Sequence, residues 1–201
     1  SSNSSNSSSG APSWSRRAAG LLRFGCSDQT LVEVMTTIVI GTLTLTTTAD
    51  ESTTAAASLA GPVQVALSNV AGMDSCMTIV EFVSASPVDD DDASGKQELR
   101  FHFWMCPMKV TPDAAAADVE ASAEPEDFPA FRSALLSAIG LDDSTRGLFP
   151  KAGAWEVSIP PLTLDIQFVW RPYWVKTTVA TTRTLQEITT TTGSGITVLD
   201  S

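Results

Sequence analysis

The sequence predicts an all-β fold, an antiparallel eight-stranded jelly-roll sandwich with one or two short helical insertions. Three observations support this fold class. About eight extended segments are bounded by turn residues, no strand–helix–strand rhythm separates them, and apolar and polar side chains alternate with period two. The chain has 201 residues, of which 43% are hydrophobic, so it can bury one well-packed core. A jelly roll is a common arrangement for eight antiparallel strands.

The first segment is predicted to be separate from the fold. Residues 1–28 form a mobile arm rich in serine and asparagine, and residues 29–201 form a single jelly-roll domain, because the arm has little apolar surface to bury. Three arginines in the arm are the predicted nucleic-acid contacts: Arg16, Arg17 and Arg23. The net charge is −11, so an acidic body would make this contact weak. Because the sequence begins with serine, we expect a processed product or part of a longer chain.

The strands are expected to begin at Gln29. QTLVEVMTTIVIGTLTLTTTAD is dense in β-branched residues, and Gly41 within it predicts a bulge or bend. GPVQVAL, CMTIVEFVSASP, GAWEVSIPP and LTLDIQFVWRPYWV are predicted as further strands, followed by weaker strands in TVATTRTLQEITTTTGSGITVLDS. Alternate residues of LTLDIQFVWRPYWV are predicted to face the core: Leu162, Leu164, Ile166, Phe168 and Trp170.

The stretch KQELRFHFWMCP contains the only histidine of the chain. Leu99, Phe101, Phe103 and Met105 alternate with Arg100, His102, Trp104 and Cys106, which predicts a strand with two different faces. No acid, cysteine or second histidine stands near His102 at the spacing of a metal site. We therefore interpret His102 as a structural strand residue.

Two segments interrupt the β pattern. Thr111 and Pro112 are suited to begin a short alanine-rich helix that continues to about Glu120. A second helix is predicted from Phe128 to Ile139, with apolar residues at three- and four-residue spacing and Gly140 as its stop.

The residues that carry chemistry do not form a recognisable catalytic motif. The sequence has no nucleophile elbow and no phosphate-binding glycine loop, so we expect no enzyme activity and no cofactor. A glycosidase remains an alternative by residue type, since Glu33, Glu81 and Asp165 lie in predicted strands. The three cysteines have no paired spacing and are expected to be reduced, mostly buried thiols: Cys26, Cys76 and Cys106.

Four consecutive aspartates are the strongest candidates for metal ligands: Asp89, Asp90, Asp91 and Asp92. Hard cations such as calcium prefer several oxygen ligands, but adjacent carboxylates point apart and repel one another. We expect a solvated acidic loop, with calcium held between two subunits as the alternative. Asp142 and Asp143 are the candidate partners of that calcium site from elsewhere in the chain.

Two stretches resemble the coat proteins of small icosahedral positive-strand RNA viruses. AGMDSCMTIVEFVSASP is similar to a strand that follows a helical turn and ends at a proline in those proteins, and GKQELRFHFWMCPMKVTPDAAAAD is similar to the next strand. The spacing resembles that of tymovirus-like and other single jelly-roll coats. The resemblance implies a shell of symmetric copies, an inward-facing amino-terminal arm, and calcium at some subunit contacts.

The expected function is therefore that of a capsid protein. Many copies, together with sister coat proteins where these exist, would assemble in the host cell into a virion shell around a viral genome, without catalysis and without a membrane. The alternative is a non-catalytic carbohydrate- or protein-binding β-sandwich. That module would use an aromatic platform of Trp155, Trp170, Tyr173 and Trp174.

Overall fold

The computed structural model describes residues 20–48, 53–88, 95–124 and 130–173. These residues form one mixed sheet of six strands with three α-helices. The strands are β1 (Leu22–Arg23), β2 (Leu31–Thr48), β3 (Thr78–Pro87), β4 (Lys96–Met105), β5 (Glu156–Ser158) and β6 (Thr163–Pro172). The helices are α1 (Ala60–Val70), α2 (Pro112–Ser122) and α3 (Ala130–Leu141). The order in the sheet is β1-β6-β2-β4-β3, and β5 also pairs with β2.

Strand β2 is the centre of the sheet. It is 18 residues long and pairs antiparallel with β4 over its second half and with β6 over its first half. Strand β5 pairs with β2 beyond the segment that pairs with β6, and the break at Pro160 and Pro161 separates β5 from β6. Because directly paired residues point to the same side of a sheet, the odd-numbered residues of β2 define one face and the even-numbered residues define the other. We call these the odd face and the even face.

The helices cover part of the odd face. Val39, Leu43 and Leu45 of β2 are buried there, and they belong to one core with Leu99, Phe101, Phe103 and Met105 of β4. Each helix contributes apolar residues at helical spacing to this core: Val63 and Leu67, Ala115 and Val119, and Phe131, Leu135 and Ile139. Two hydrogen bonds attach helices to the sheet. Ser68 Oγ donates to Thr78 Oγ1 at 2.8 Å, and Glu120 Oε1 accepts from the Leu162 backbone at 2.6 Å.

A second, smaller core lies on the even face. Ile38 and Ile40 of β2 pack there with Trp104, Cys106 and Val169. Two residues close this core from the amino-terminal side: Leu22 and Phe24. Strand β1 pairs parallel with β6, and residues 20–28 are therefore part of the fold. The remainder of the predicted arm, residues 1–19, lies outside the described residues.

The predicted state of two cysteines is wrong. Cys26 and Cys76 form a disulfide with a Cα–Cα distance of 5.1 Å, and 50 residues separate them in sequence. The Gly25 backbone also donates to the Cys76 carbonyl at 2.8 Å, so the segment after β1 is held against the turn before β3. Sequence spacing could not show this proximity. Cys106 is a buried free thiol, as predicted, and burial raises its pKa to about 11.

Most predicted elements are confirmed, but GPVQVAL is not a strand. These residues belong to α1, where Pro62 is in the first turn and Val63, Ala66 and Leu67 face the core. A short apolar run with two valines fits a strand and a buried helix equally well by pattern alone. The two predicted helices are present as α2 and α3. Thr111 caps α2 by accepting a hydrogen bond from the Ala114 backbone at 3.3 Å, and Gly140 lies inside α3 instead of ending it.

Gly41 marks a close approach of side chains rather than the predicted bulge. The pairing of β2 with β4 runs through it without a register shift. A Cβ atom at Gly41 would collide with the ring of Phe103 and with a terminal methyl of Leu162. Glycine is therefore required here because the core leaves no room for a side chain.

The β-rich prediction is confirmed in its coarse form. The chain has a curled mixed sheet, but its described residues contain three α-helices instead of one or two insertions, and they contain no second sheet facing the first. The helices occupy the position on the odd face that a second sheet would take in a sandwich. Alternation along strands shows that a face is buried, but it does not show whether a helix or a sheet covers that face.

We expect the disulfide to contribute substantially to stability. Closing a 50-residue loop restricts the unfolded chain, which corresponds to about 4 kcal/mol in the chain-entropy model. Urea unfolding of Cys26→Ser/Cys76→Ser should show a loss of this size. Reductant should destabilise the wild type and leave the double variant unchanged. Three reactive thiols per denatured, unreduced chain, instead of one, would contradict the pairing.

Gly41→Ala should destabilise the fold by about 1–3 kcal/mol, because the added methyl group overpacks the core beside Phe103. The matched control is Gly140→Ala in α3, where an added Cβ meets no atom within 4 Å. That change should stabilise the helix by up to about 1 kcal/mol. Equal effects of the two substitutions in denaturant unfolding would refute the steric explanation for Gly41.

Candidate functional site: an exposed apolar face of the sheet

The helices leave the β6 end of the odd face uncovered. Four large apolar side chains on β2 and β6 form what we call the open face: Met35, Leu164, Ile166 and Phe168. They are 61%, 39%, 65% and 51% exposed. Met35 pairs directly with Phe168, so the four residues are contiguous across two strands. Single exposed apolar residues are ordinary on protein surfaces, whereas a contiguous patch marks an interaction site.

Two rows of side chains extend the open face toward β1. In the first row, Trp170 lies between Arg23 of β1 and Glu33 of β2, in register with both. The Arg23 guanidinium lies 5.6 Å from the centre of the Trp170 ring, which confirms that both side chains are on this face. In the second row, Met35 pairs with Phe168, and extending the parallel register of β1 by one residue places Leu21, which is 42% exposed, on the other side of Phe168. The apolar centre thus has a cation on one flank and an anion on the other.

The outer edges of the sheet carry features that oppose strand addition. Strand β1 pairs with only two residues of β6, and on the remaining edge of β6 the Asp165 carboxylate accepts the Ile166 backbone N–H at 3.0 Å and the Gln167 side-chain amide at 2.7 Å. On β3, the pairing with β4 shifts between Phe82 and Ser84, and the strand ends at Pro87. Irregular pairing, proline and edge charge are the means by which natural sheets prevent edge pairing. The face is therefore more open to a partner than either edge.

Most of the predicted metal and nucleic-acid residues lie in parts of the chain that the structure does not describe. Asp89–Asp92 lie outside the described residues, as do Arg16 and Arg17. Asp142 accepts hydrogen bonds from the Ser144 backbone and hydroxyl at 2.8 and 2.6 Å, which lowers the pKa of Asp142. Asp143 pairs with Arg146 at 3.2 Å. Within the described ranges, no three histidine, cysteine or acidic residues are grouped as metal ligands.

The predicted aromatic platform is not assembled. Trp155 is buried in the core against Phe149, at 5.5 Å between ring centres. Trp170 is half-buried beside Arg23, Tyr173 is exposed, and Trp174 lies outside the described residues. Burial of Trp155 in the helix-covered core removes one of the four residues from any shared surface.

The carboxylates considered for glycoside hydrolysis are spread over the sheet. Glu33 lies on the odd face, whereas Asp165 and Glu81 lie on the even face. Strands β2 and β4 separate Asp165 from Glu81, and the two residues align with Ile38 and Thr42 of β2, so they are more than about 14 Å apart. Paired catalytic carboxylates are about 5–9.5 Å apart. The three residues therefore do not form such a pair.

His102 is a strand residue, as predicted. It is half-buried on the even face, and its ring meets Trp104 edge-to-face at 6.3 Å. Burial lowers the pKa of His102, which Glu81 opposes and Arg100 reinforces. Thr42, which pairs with His102, belongs to a row of half-buried threonines on this face.

Comparisons with known proteins identify no relative: no protein-family model matches the chain, and neither a curated protein nor a solved structure does. Among the described helices, none has the length and apolar character required to cross a bilayer.

The sequence pattern identifies the β6 residues of the open face as one row of side chains, but it predicts that this row faces the core. Alternation in β6 correctly places Leu164, Ile166 and Phe168 on one side. The error arose because the helices reach only the second half of β2, where Val39, Leu43 and Leu45 are buried. How far a helix extends over a sheet depends on packing and is not encoded in strand periodicity.

The lowered pKa of His102 predicts a specific pH dependence. The unfolded chain binds a proton more readily than the folded chain, so stability should fall as the pH drops below about 6.5. His102→Gln should remove this component and reduce the difference in unfolding free energy between pH 7.5 and pH 5.5. An NMR titration midpoint above that of a free histidine peptide would contradict the prediction.

Proposed function

We propose that this chain is a self-assembling structural protein whose copies pack against one another through the open face. The observation that carries the proposal is the contiguous exposure of Met35, Ile166 and Phe168 on a sheet whose edges oppose strand pairing. Burying apolar area at about 25 cal/mol per Å² drives such an association. A second copy of the chain is the occupant that the flanking charges favour.

The open face matches itself under a two-fold rotation. If the axis runs along β6, Phe168 lies opposite its own copy, and Met35 lies opposite Leu21 of the second copy. The same rotation places Arg23 opposite Glu33, since these residues flank Trp170 at equal strand spacings. An isologous interface requires this kind of self-complementary patch. Opposite charges at its rim set the register of the two copies.

The coat-protein function expected from the sequence extends this proposal from a pair of copies to a closed shell. Copies that pair through the open face would be the units of a larger shell, assembled in the host cell and present in the virion. Sheet-on-sheet contact between two copies would create the sandwich that the strand pattern predicted. The weaker strands predicted in TVATTRTLQEITTTTGSGITVLDS lie outside the described residues. Arg23, the described arginine of the predicted arm, would serve the contact between copies rather than nucleic acid.

Ile166→Lys should weaken self-association at least ten-fold, because it would bury an unpaired charge in the centre of the interface. The matched control is Leu141→Lys, since Leu141 is 76% exposed at the end of α3, away from the open face. Analytical ultracentrifugation over a concentration series measures both variants against the wild type, and Leu141→Lys should not differ from it.

Three outcomes would overturn the proposal. The first is a wild-type chain that stays monomeric at every concentration. The second is equal weakening by both lysine substitutions. The third is an Ile166→Lys variant that has the same sedimenting mass as the wild type but a lower free energy of unfolding. That result would indicate that residues of the same chain beyond Tyr173 cover the open face.

A charge exchange tests the two-fold arrangement separately. Arg23→Glu and Glu33→Arg should each weaken association, because like charges would then face each other across the interface. The double variant Arg23→Glu/Glu33→Arg should recover most of the affinity, since the charges are opposite again. Additive losses in the double variant, measured by sedimentation at low salt, would exclude this orientation.

A further inference from the structure

A small pocket lies beside the disulfide, between the turn that precedes β3, the segment that follows β4 and the end of β6. Its volume is about 60 Å³. Eight residues line it: Gln29, Met73, Asp74, Cys76, Met77, Met108, Lys109 and Pro172. Half of them carry sulfur. This is a high share, because the whole chain has five methionines and three cysteines among its 201 residues.

The sulfur-bearing residues come from two parts of the chain. Met73 and Met77 come from the turn between α1 and β3, and Met108 follows β4. The Cys106 backbone donates to the Met77 carbonyl at 2.9 Å, which fixes the end of β4 beside this turn. The disulfide of Cys76 holds the same turn from the other side. These covalent and backbone restraints place the three thioethers around one space.

The size and the rim of the pocket indicate the class of ligand. Sites for organic ligands usually measure about 300–1,000 Å³, whereas 60 Å³ holds an ion or about two water molecules. At the rim, Lys109 Nζ pairs with Asp74 Oδ2 at 3.0 Å, so these two charges offset each other. Apart from this charge pair, the lining supplies three neutral, polarizable thioethers. Thioether ligands select soft cations such as copper(I) over hard cations such as calcium or magnesium.

We propose that Met73, Met77 and Met108 form a binding site for a soft monovalent metal ion, copper(I) or silver(I). Methionine also fills gaps in apolar cores, but these side chains border an open space next to solvent-exposed groups. This site is distinct from the open face and does not depend on self-association.

The test uses silver nitrate and the full chain with its disulfide intact, in a buffer free of chloride and reductant. Cys106→Ala is the starting protein, so that silver cannot bind a free thiol. Isothermal titration should show one silver ion per chain. Met73→Leu/Met108→Leu should lower the affinity at least ten-fold, while nearly preserving side-chain volume. Met35→Leu is the control, because Met35 lies on the open face.

A second measurement avoids substitutions in the pocket. Silver should slow hydrogen-peroxide oxidation of Met73, Met77 and Met108, read by peptide mass spectrometry, with Met35 as the internal reference. With copper(I) kept reduced by ascorbate, Cys106→Ala should compete with bicinchoninate for the metal, and adding Met73→Leu/Met108→Leu should weaken this competition. The proposal fails if Cys106→Ala binds no silver, if the leucine double variant binds it equally well, or if oxidation slows no more at the pocket than at Met35.

Discussion

The continuous pairing of β2 is the constraint on which the structure depends. One 18-residue strand is paired along its whole length, with β6 over its first half and with β4 over its second half, so its odd and even residues face opposite sides without interruption. Leucines at odd positions and threonines at even positions divide its second half into a buried side and a half-buried side. The two cores are arranged about this strand. Gly41 leaves room on this strand for the side chains of Phe103 and Leu162.

The open face arises from the geometry of this long strand. Three short helices cover the odd face over the second half of β2, from Val39 onward. The first half of β2, which pairs with β6, extends beyond the helices and stays exposed on this face. Strand addition is opposed by the Asp165 carboxylate on β6 and, at the far edge of the sheet, by the irregular pairing of β3. A sheet that shields its edges and exposes an apolar face is suited to face-to-face packing. This combination is the physical basis of the proposed self-assembly.

The region around the disulfide follows from a different constraint. Strand β1 has only two paired residues, which is too few to hold a chain segment in place by backbone hydrogen bonds alone. Leu22 and Phe24 anchor this segment in the even-face core, and the bond from Cys26 to Cys76 fixes it covalently. The restraint also keeps the methionine-lined pocket beside the turn at Met73 and Met77. Local order there depends on contacts between residues far apart in sequence.

The sequence by itself determined the local periodicity: the strands around Leu43, Phe101 and Ile166, the threonine cap of α2, and the side of each strand on which apolar residues lie. These features depend on neighbours within a few residues, so a linear pattern carries them. Only the tertiary structure decided that GPVQVAL is helical, that Cys26 meets Cys76, and that the apolar side of β6 is exposed. Each of these outcomes depends on which distant segment packs against a given surface. Packing of the whole chain determines this, and alternation along one strand carries no information about it.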